Sequence, residues 1–185
     1  MLKMTLNQDG NTNSSLELAV GEAKKLNAPL LVASTSGETA LAALQEARKQ
    51  GVEKNLVIIS SVYGSRGPGL NGMKEECKNE LDGAGVKIIT AAHALSGAER
   101  ALSTKFKGVY PVEIIAHTLR MFSQGVKVAV EIAAMALDAG AIPAGVPVVA
   151  VGGTGRGADT AVTLTPSYTQ DILSTRVHEI LCMPY

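Results

Sequence analysis

The apolar residues of this chain gather in short runs, and polar or glycine-rich segments follow most of them. Four of these runs lie at residues 30–34, 55–61, 86–90 and 146–151. A mostly apolar run of this length between turn residues is typical of a strand that is buried on both faces of a sheet. Residues 161–165 predict a fifth strand, and the tail at 175–182 is a candidate for an edge strand.

Between the strands, hydrophobic residues recur at helical spacing, which predicts helices at residues 13–26, 36–51, 73–81 and, in three pieces, 91–140. Thr12 is the predicted N-cap of the first helix, and Ser96 is the predicted cap within the long helical region. In that region Pro111 suits the first turn of the second piece, because proline lacks the amide that a first turn leaves unpaired. Gly125 is expected to separate the second piece from the third.

The alternation of strands and helices predicts the fold class. Parallel neighbouring strands need a crossover connection, which is usually a helix, and such connections are right-handed. We therefore expect an α/β fold with three layers and a doubly wound, mostly parallel sheet of five strands or more. The 185 residues contain no internal repeat or linker, so we expect one domain that spans residues 1–185.

Composition and charge limit the partners. Hydrophobic residues make up 46% of the chain but aromatic residues only 3%, so the core is expected to be aliphatic. The 17 Lys and Arg residues balance the 17 Asp and Glu residues. Because a balanced charge creates no field that attracts polyanions, we expect neither a nucleic acid nor a membrane surface as a partner.

The cysteines and the N-terminal sequence predict the compartment. Cys77 and Cys182 are far apart and have no metal-binding spacing, which argues against a disulfide framework and a zinc site. No metal is expected. The first residues lack the apolar stretch of a signal peptide, and charged residues interrupt the apolar segment at 126–151. A cytoplasmic, reduced protein is therefore predicted.

The segment after the first predicted strand has the residues of an anion site. In an open parallel sheet, ligands bind beyond the carboxyl ends of the strands, near the point where the strand order reverses. The amides and the dipole of a helix N-terminus attract a phosphate there, and hydroxyl groups add donors. The candidates in this segment are Ser34, Thr35, Ser36, Gly37 and Thr39. The alternative is that Thr35 or Ser36 simply caps the helix.

The segment after the fourth predicted strand is rich in glycine and contains an arginine. Glycines allow the backbone amides to form a concave nest for anions, and the guanidinium of an arginine can close over a phosphate. The candidates are Gly153, Thr154, Gly155, Arg156, Gly157, Asp159 and Thr160. A flexible turn is the alternative. The pattern is neither a Walker loop nor a dinucleotide fingerprint, since no GKS/T follows it and it leads to a strand.

Four further polar residues are candidates, each with a structural alternative. His93 follows the third predicted strand, where it can act as a hydrogen-bond donor or an acid–base group, or as a solvated loop residue. Glu131 lies among apolar residues and could contact Arg120, a ligand or another subunit, or face solvent. Asn11 and Thr12 begin a helix that should run antiparallel to the first strand, so they either reach the same edge or only cap the helix.

Two of these segments resemble a known family. Residues 31–40, with the sequence LVASTSGETA, resemble the strand–loop–helix segment of the pyruvate kinase C-terminal α/β domain, and residues 148–160 resemble its glycine-rich effector loop. The resemblance implies that residues 34–37 and Thr39 hold a phosphate, with the loop at 155–157 closing the pocket. The 185 residues include no catalytic barrel, so pyruvate kinase activity is not expected.

The chain is more similar still to stand-alone microbial members of that superfamily. The similarity is carried by Asn11-Thr12, the STSGETA loop, the YPVEI stretch at 110–114 and the GGTGRGADT loop at 152–160. It implies flavin mononucleotide (FMN) as the cofactor, with the phosphate on the first loop and the isoalloxazine across the sheet edge. Tyr63, Tyr110 and Phe106 are the aromatic candidates to stack on that ring.

Three functions remain open from the sequence. The first is an FMN-binding protein, with no reaction assigned, in which His93 could donate to a flavin carbonyl and Asp159 could bind a ribityl hydroxyl or order the loop amides. The second is a non-catalytic sensor of a sugar phosphate or a nucleotide. The third is an interaction module that forms homo-oligomers through an exposed sheet edge.

Overall fold

The strands of this protein form one sheet whose carboxyl edge carries the candidate loops. The computed structural model describes residues 5–6 and 11–184. Within them the strands are β1 (Thr5–Leu6), β2 (Leu30–Ala33), β3 (Leu56–Ser60), β4 (Lys87–Thr90), β5 (Val148–Gly152), β6 (Thr160–Thr165) and β7 (Arg176–Met183). Their order across the sheet is β1-β7-β6-β5-β2-β3-β4. Neighbouring strands pair in parallel except where β6 lies antiparallel to β5 and β7.

The strand order reverses between β2 and β5. From β2 the chain moves outward to β3 and then to β4, and it returns to the other side of β2 to form β5. These two central strands pair in parallel, with Leu31 opposite Ala150. At such a reversal, the loops after the two central strands run in opposite directions and a crevice forms between them. Doubly wound sheets bind their ligands in this crevice.

Helices cover both faces of the sheet and complete three layers. The helices are α1 (Thr12–Leu26), α2 (Glu38–Gln50), α3 (Glu75–Gly83), α4 (Glu99–Phe106), α5 (Pro111–Arg120) and α6 (Gln124–Asp138), with short 3₁₀ segments at Glu53–Asn55 and Thr169–Ser174. The first three pack on one face, α6 packs on the other, and α5 packs against α6. The predicted three-layer, doubly wound, mostly parallel α/β fold is confirmed.

The two hydrophobic cores follow from the alternation of side chains along each strand. In β2, Leu30 and Val32 pack with α1 and α2, while Leu31 between them packs with α6. Among the described residues, the buried hydrophobic side chains are aliphatic or contain sulfur, and none is aromatic. Small residues such as Ala129 and Ala133 let α6 lie close to the sheet.

Three predicted helix boundaries are corrected by the structure. The N-cap of α1 is Asn11, whose Oδ1 accepts hydrogen bonds from the amides of Asn13 and Ser14 at 3.0 and 3.4 Å, so the prediction of Thr12 as the cap is wrong. Ser96 caps no helix, since α4 begins only at Glu99. Gly125 does not separate two helices but lies in the first turn of α6. Pro111 is the first residue of α5, as predicted.

The predicted edge strand lies inside the sheet. β7 pairs with β6 on one side and with β1 on the other, where Cys182 is opposite Thr5. The sequence did not predict β1, because two residues are too short to show a hydrophobic period. None of the helices within residues 11–184 is long and apolar enough to cross a membrane.

Candidate functional site

A cavity of about 500 Å³ opens where the strand order reverses, at the carboxyl edge of the sheet. Both predicted loops line it, together with the segment after β3, the segment after β4 and one side of α6. Small-molecule sites typically have volumes of about 300–1,000 Å³. The structure therefore brings the residues after β2 and those after β5 to one pocket of suitable size.

The first loop contributes four of its five predicted residues to the lining, namely Ser34, Thr35, Ser36 and Thr39. Ser34 is buried, and its Oγ accepts a hydrogen bond from the amide of Ala40 at 3.2 Å. The Oγ of Ser36 accepts from the amide of Glu38 at 3.5 Å. These two hydroxyls thus bond amides of the first turn of α2 while they also line the cavity. The N-cap is Gly37, without a side-chain cap, so the alternative that Thr35 or Ser36 caps the helix is wrong.

Gly37 packs against α3 and does not line the cavity. It is buried, is the N-cap of α2 and has a φ of +95°, which favours glycine. A Cβ atom there would collide with the side chain of Cys77 on α3 and would lie 3.3 Å from Cγ of Met73. Glycine at this position therefore lets the first turn of α2 pack directly against α3.

In the second loop, Gly153, Gly155, Arg156 and Gly157 line the cavity, whereas Thr154, Asp159 and Thr160 do not. The Oδ2 of Asp159 accepts a hydrogen bond from the amide of Thr154 at 2.8 Å. Its Oδ1 accepts from the hydroxyl of Thr160 at 2.7 Å. Asp159 is buried, and it orders the loop amides, which was one of the two roles considered for it.

Two glycines of this loop, Gly153 and Gly157, are needed by its close packing. A Cβ atom at Gly153 would lie 2.5 Å from the carbonyl oxygen of Gly157. Gly157 has a φ of +73°, and a Cβ atom there would collide with Oγ1 of Thr12. The same Oγ1 accepts a hydrogen bond from the amide of Ala158 at 3.0 Å. The loop is thus a closely packed turn that α1 supports.

Asn11 and Thr12 reach the predicted edge but do not line the cavity. Asn11 caps α1, and Thr12 anchors the glycine-rich loop through Ala158. The helix does run antiparallel to β2, so its N-terminus meets the loops as expected. Both residues thus belong to the structure that supports the cavity and not to its lining.

Three cationic side chains line the mouth of the cavity, Arg66, Lys74 and Arg156. Lys74 Nζ lies 2.6 Å from Oε1 of Glu38, the one carboxylate at the mouth. The hydrogen bond and the charge of Lys74 hold the pKa of Glu38 below its usual value, and the charge of Arg156 adds to this. Three cations against one carboxylate leave the mouth with an excess of positive charge.

A buried ionic cluster forms the polar floor. Glu131 lines the cavity although its side chain is only 2% exposed, and its Oε2 lies 2.6 Å from Nζ of Lys127 and 3.3 Å from Nδ1 of His93. Its Oε1 accepts a hydrogen bond from the amide of Leu95 at 2.9 Å. The solvent-facing position considered for Glu131 is wrong, because the side chain is buried. The contact with Arg120 is also wrong, since Glu131 pairs with Lys127 and His93 while Arg120 bonds Gln124.

The partners of Glu131 decide its charge. Burial raises the pKa of the carboxyl, but the hydrogen bond from His93 and the charge and hydrogen bond of Lys127 outweigh it, so the pKa lies below its usual value. Burial lowers the pKa of Lys127, and Glu131 opposes that change. The floor therefore holds an ionised carboxylate at neutral pH with three donors around it.

The remaining wall is aliphatic, formed by Ala33, Ile59, Val128, Ile132 and Met135. None of the predicted aromatic residues, Tyr63, Tyr110 and Phe106, belongs to the lining. Tyr63 and Phe106 are instead exposed to solvent. A planar ring in this cavity would lie against side chains of α6, without an aromatic partner from the described residues.

The family model of the pyruvate kinase alpha/beta domain matches residues 13–164, which is most of the chain. The chain belongs to the pyruvate kinase alpha/beta domain family. The matched range contains all the residues that line the cavity, so the family segment and the candidate site coincide. Asn11, Thr12 and β7 lie outside the matched range.

Three residues of this pyruvate kinase alpha/beta domain that belong to the site or contact it were not predicted from the sequence, namely Arg66, Lys74 and Lys127. The first two belong to the segment after β3, which the rule that placed the other loops at the carboxyl edge also includes. Lys127 lies four residues before Glu131, and this spacing puts both side chains on one face of a helix. Among the described residues, no group of three or more His, Cys, Asp and Glu side chains could hold a metal ion.

Proposed function

We propose that this domain binds a phosphorylated small molecule in the cavity at the carboxyl edge, with FMN as the first candidate. The observation that carries the proposal is that the first turn of α2 and the glycine-rich loop line one cavity whose mouth also contains Arg66, Lys74 and Arg156. A phosphate monoester carries a charge of about −1.5 to −2 at neutral pH and several acceptor oxygens. It matches the excess of cations at the mouth and the positive end of the α2 dipole.

The phosphate would lie between the two loops. There it would meet the N-terminus of α2, where the dipole is equivalent to roughly half a positive charge. The hydroxyls of Ser36 and Thr39 line the same region, and Arg156 on the opposite loop can supply forked donors. Each hydrogen bond to a charged group contributes about 1.5–3 kcal/mol. The phosphate is therefore expected to supply much of the affinity.

The rest of the cavity supports FMN over a purely polar ligand. Ile59, Val128, Ile132 and Met135 form an apolar wall that a flat, weakly polar ring can cover. His93 and Glu131 lie beside that wall, where the polar edge of a ring would find hydrogen-bond partners. FMN, when bound, supplies hydride and electron transfer. The residues named here bind and orient the ligand, and no reaction is assigned to them.

A sensor of a sugar phosphate or a nucleotide is the second candidate. The lining contains the hydroxyls of Ser60 and Ser61 as well as His93, which suit the hydroxyl groups of a sugar. The described lining offers no aromatic side chain for a flavin to stack on, and this favours the sensor. A sensor would use the same phosphate contacts, so a direct comparison of ligands separates the two candidates.

The test is a fluorescence titration of FMN with purified protein, alongside riboflavin, which lacks the phosphate. We expect quenching by saturable FMN binding and at least about 100-fold weaker binding of riboflavin, since several charge-assisted hydrogen bonds are lost. Arg156→Gln should weaken FMN binding about tenfold. Arg176→Gln is the matched control, because Arg176 begins β7 at the opposite edge of the sheet.

Equal affinities for FMN and riboflavin would contradict the phosphate site. No binding of FMN, together with thermal stabilisation by a sugar phosphate or a nucleotide, would favour the sensor, since a ligand of the native state raises its stability. If no phosphorylated compound stabilises the protein, both candidates fail.

A further inference from the structure

We propose that Glu131 and Lys127 form a buried positioning pair that fixes His93 as a hydrogen-bond acceptor of the cavity. The ligand is then one that carries an N–H or O–H donor at a distance from its phosphate. This inference rests on the proposed function and specifies which class of phosphorylated molecule the site accepts. It assigns a role to three residues that phosphate binding does not use.

The orientation of the imidazole follows from its partner. The pKa of Glu131 lies below its usual value, so the group is a carboxylate at neutral pH and can only accept hydrogen bonds. The Nδ1 of His93, at 3.3 Å from Oε2, must therefore carry the proton of this contact. In the neutral ring Nε2 then has a lone pair. Since Nδ1 is directed at Glu131 and His93 lines the cavity, Nε2 is the nitrogen left for a ligand.

Lys127 supports this arrangement from the same helix. Its Nζ lies 2.6 Å from the Oε2 atom that also contacts His93, and both charged side chains are almost completely buried. The charge of Lys127 therefore compensates that of the carboxylate within the pair. The amide of Leu95 occupies the other oxygen and fixes the rotation of the carboxylate. Glu131 thus has one defined direction in which to hold the ring.

The position of the cluster argues for a role in binding. A buried ion pair is seldom more stabilising than apolar residues of similar size, because both ions lose their hydration. Here the pair lies between the aliphatic residues of α6, and its carboxylate borders the cavity. Perturbed ionisable groups of this kind concentrate at functional sites. Orienting His93 toward the ligand would explain why this ion pair is buried here.

The sheet sets the distance between this acceptor and the phosphate site. His93 follows β4, while the first loop follows β2, and β3 lies between them. Two strand spacings of about 4.8 Å separate the two segments by roughly 10 Å. A ligand that fits both must hold its donor about that far from its phosphate, along the apolar wall. The N–H group in the ring system of FMN satisfies this chemistry.

Nitrogen NMR of the protein measures the tautomer directly. The chain has three histidines, so the ring signals can be assigned with single substitutions. In the free protein we expect His93 with a protonated Nδ1 and an unprotonated Nε2. A double variant, Lys127→Met with Glu131→Gln, removes both buried charges and keeps an acceptor for Leu95. We expect the His93 tautomers to become mixed in it, whereas the signals of His178 stay unchanged.

Ligand binding completes the test, with FMN as the probe. We expect the Nε2 resonance of His93 to shift when FMN binds, and His93→Phe to lower the affinity about tenfold. His178→Phe is the control, because that ring bonds Thr165 at the opposite edge of the sheet.

The outcomes separate this inference from the proposed function. Tight, phosphate-dependent FMN binding with an unmoved Nε2 signal and an unchanged affinity of the His93→Phe variant would overturn the inference and leave the proposed function intact. A neutral His93 ring that carries its proton on Nε2 in the free protein would also overturn it, whether or not FMN binds. A failure of FMN to bind the wild-type protein would instead contradict the FMN proposal.

Discussion

Thr12 Oγ1 accepts a hydrogen bond from the amide of Ala158 at 3.0 Å, across 146 positions of the chain. The first residue of α1 thereby fixes the end of the glycine-rich loop. Gly157 packs against the same hydroxyl with a φ of +73°. The shape of one wall of the cavity therefore depends on a helix that does not line it.

Substitution of Gly157 tests how tightly this contact constrains the loop. Gly51 is a matched control because it has the same φ of +73° but nothing within 4 Å of an added Cβ atom. We expect Gly51→Ala to lower the free energy of unfolding by about 1–2 kcal/mol, the cost of the left-handed backbone. Gly157→Ala should cost clearly more, because Thr12 must also move. Equal losses in urea denaturation would show that the loop yields without cost.

Two substitutions of Thr12 separate the contribution of its hydroxyl to stability from that of the rest of its side chain. Thr12→Val keeps the shape but leaves the amide of Ala158 without its acceptor, which should lower the free energy of unfolding by about 1–3 kcal/mol. Thr12→Ser retains the hydroxyl and is expected to stay much closer to the wild type. Both are measured by urea denaturation. The account of the anchor is contradicted if Thr12→Ser and Thr12→Val lose the same stability.

The buried pair of Lys127 and Glu131 predicts that substitutions of its two members have strongly non-additive effects on the free energy of unfolding. Glu131→Gln leaves the ammonium of Lys127 buried without a counter-charge, which should lower the free energy of unfolding by about 3–5 kcal/mol. Adding Lys127→Met removes that charge, so the double variant should recover most of the loss. A double-mutant cycle in urea measures this coupling. Additive losses would mean that the two groups do not compensate each other.

The pH dependence of stability follows from the carboxylate. The pKa of Glu131 in the folded protein lies below its usual value of 4.5, so the unfolded chain binds more protons between the two values. The contribution of Glu131 is therefore complete above about pH 4.5 and is lost as the pH falls through the folded-state pKa. The pKa of Lys127 is also lowered, which makes stability rise with pH only on the alkaline side, below the usual value of 10.5.

The wild type and the double variant Lys127→Met with Glu131→Gln should therefore diverge in acid. As the pH falls below about 4.5, the wild type is expected to lose more stability than the variant, measured as the urea midpoint at each pH. The lowered pKa values of Glu38 and Glu46 act equally in both proteins and cancel from the difference. Parallel acid profiles would contradict the ionised state assigned to Glu131.

The sequence predicted the fold and the two loops because local patterns encode them. Each strand buried on both faces is a continuous apolar run, and the polar segments that follow such strands meet at one edge by topology. The predicted helix starts were less accurate at Asn11 and Thr12, since both residues favour capping positions and only the geometry selects one. β1 was missed because its two residues carry no period.

The floor of the cavity was the harder part to predict. Lys127 and Glu131 share a helix face at a spacing that the sequence displays, but His93 is 38 positions away from Glu131. Their contact depends on where the segment after β4 meets α6, which no local pattern encodes. The role of Asp159 likewise required coordinates, since its partners are amide and hydroxyl groups of its own loop.

The decisive experiment is a crystal structure of the protein with FMN. We expect the phosphate between the first turn of α2 and the loop at residues 153–157, within hydrogen-bond distance of Arg156. We also expect the ring along Ile132 and Met135, with a donor facing Nε2 of His93. A phosphate bound outside this cavity, or a cavity that stays empty at saturating FMN, would contradict the account.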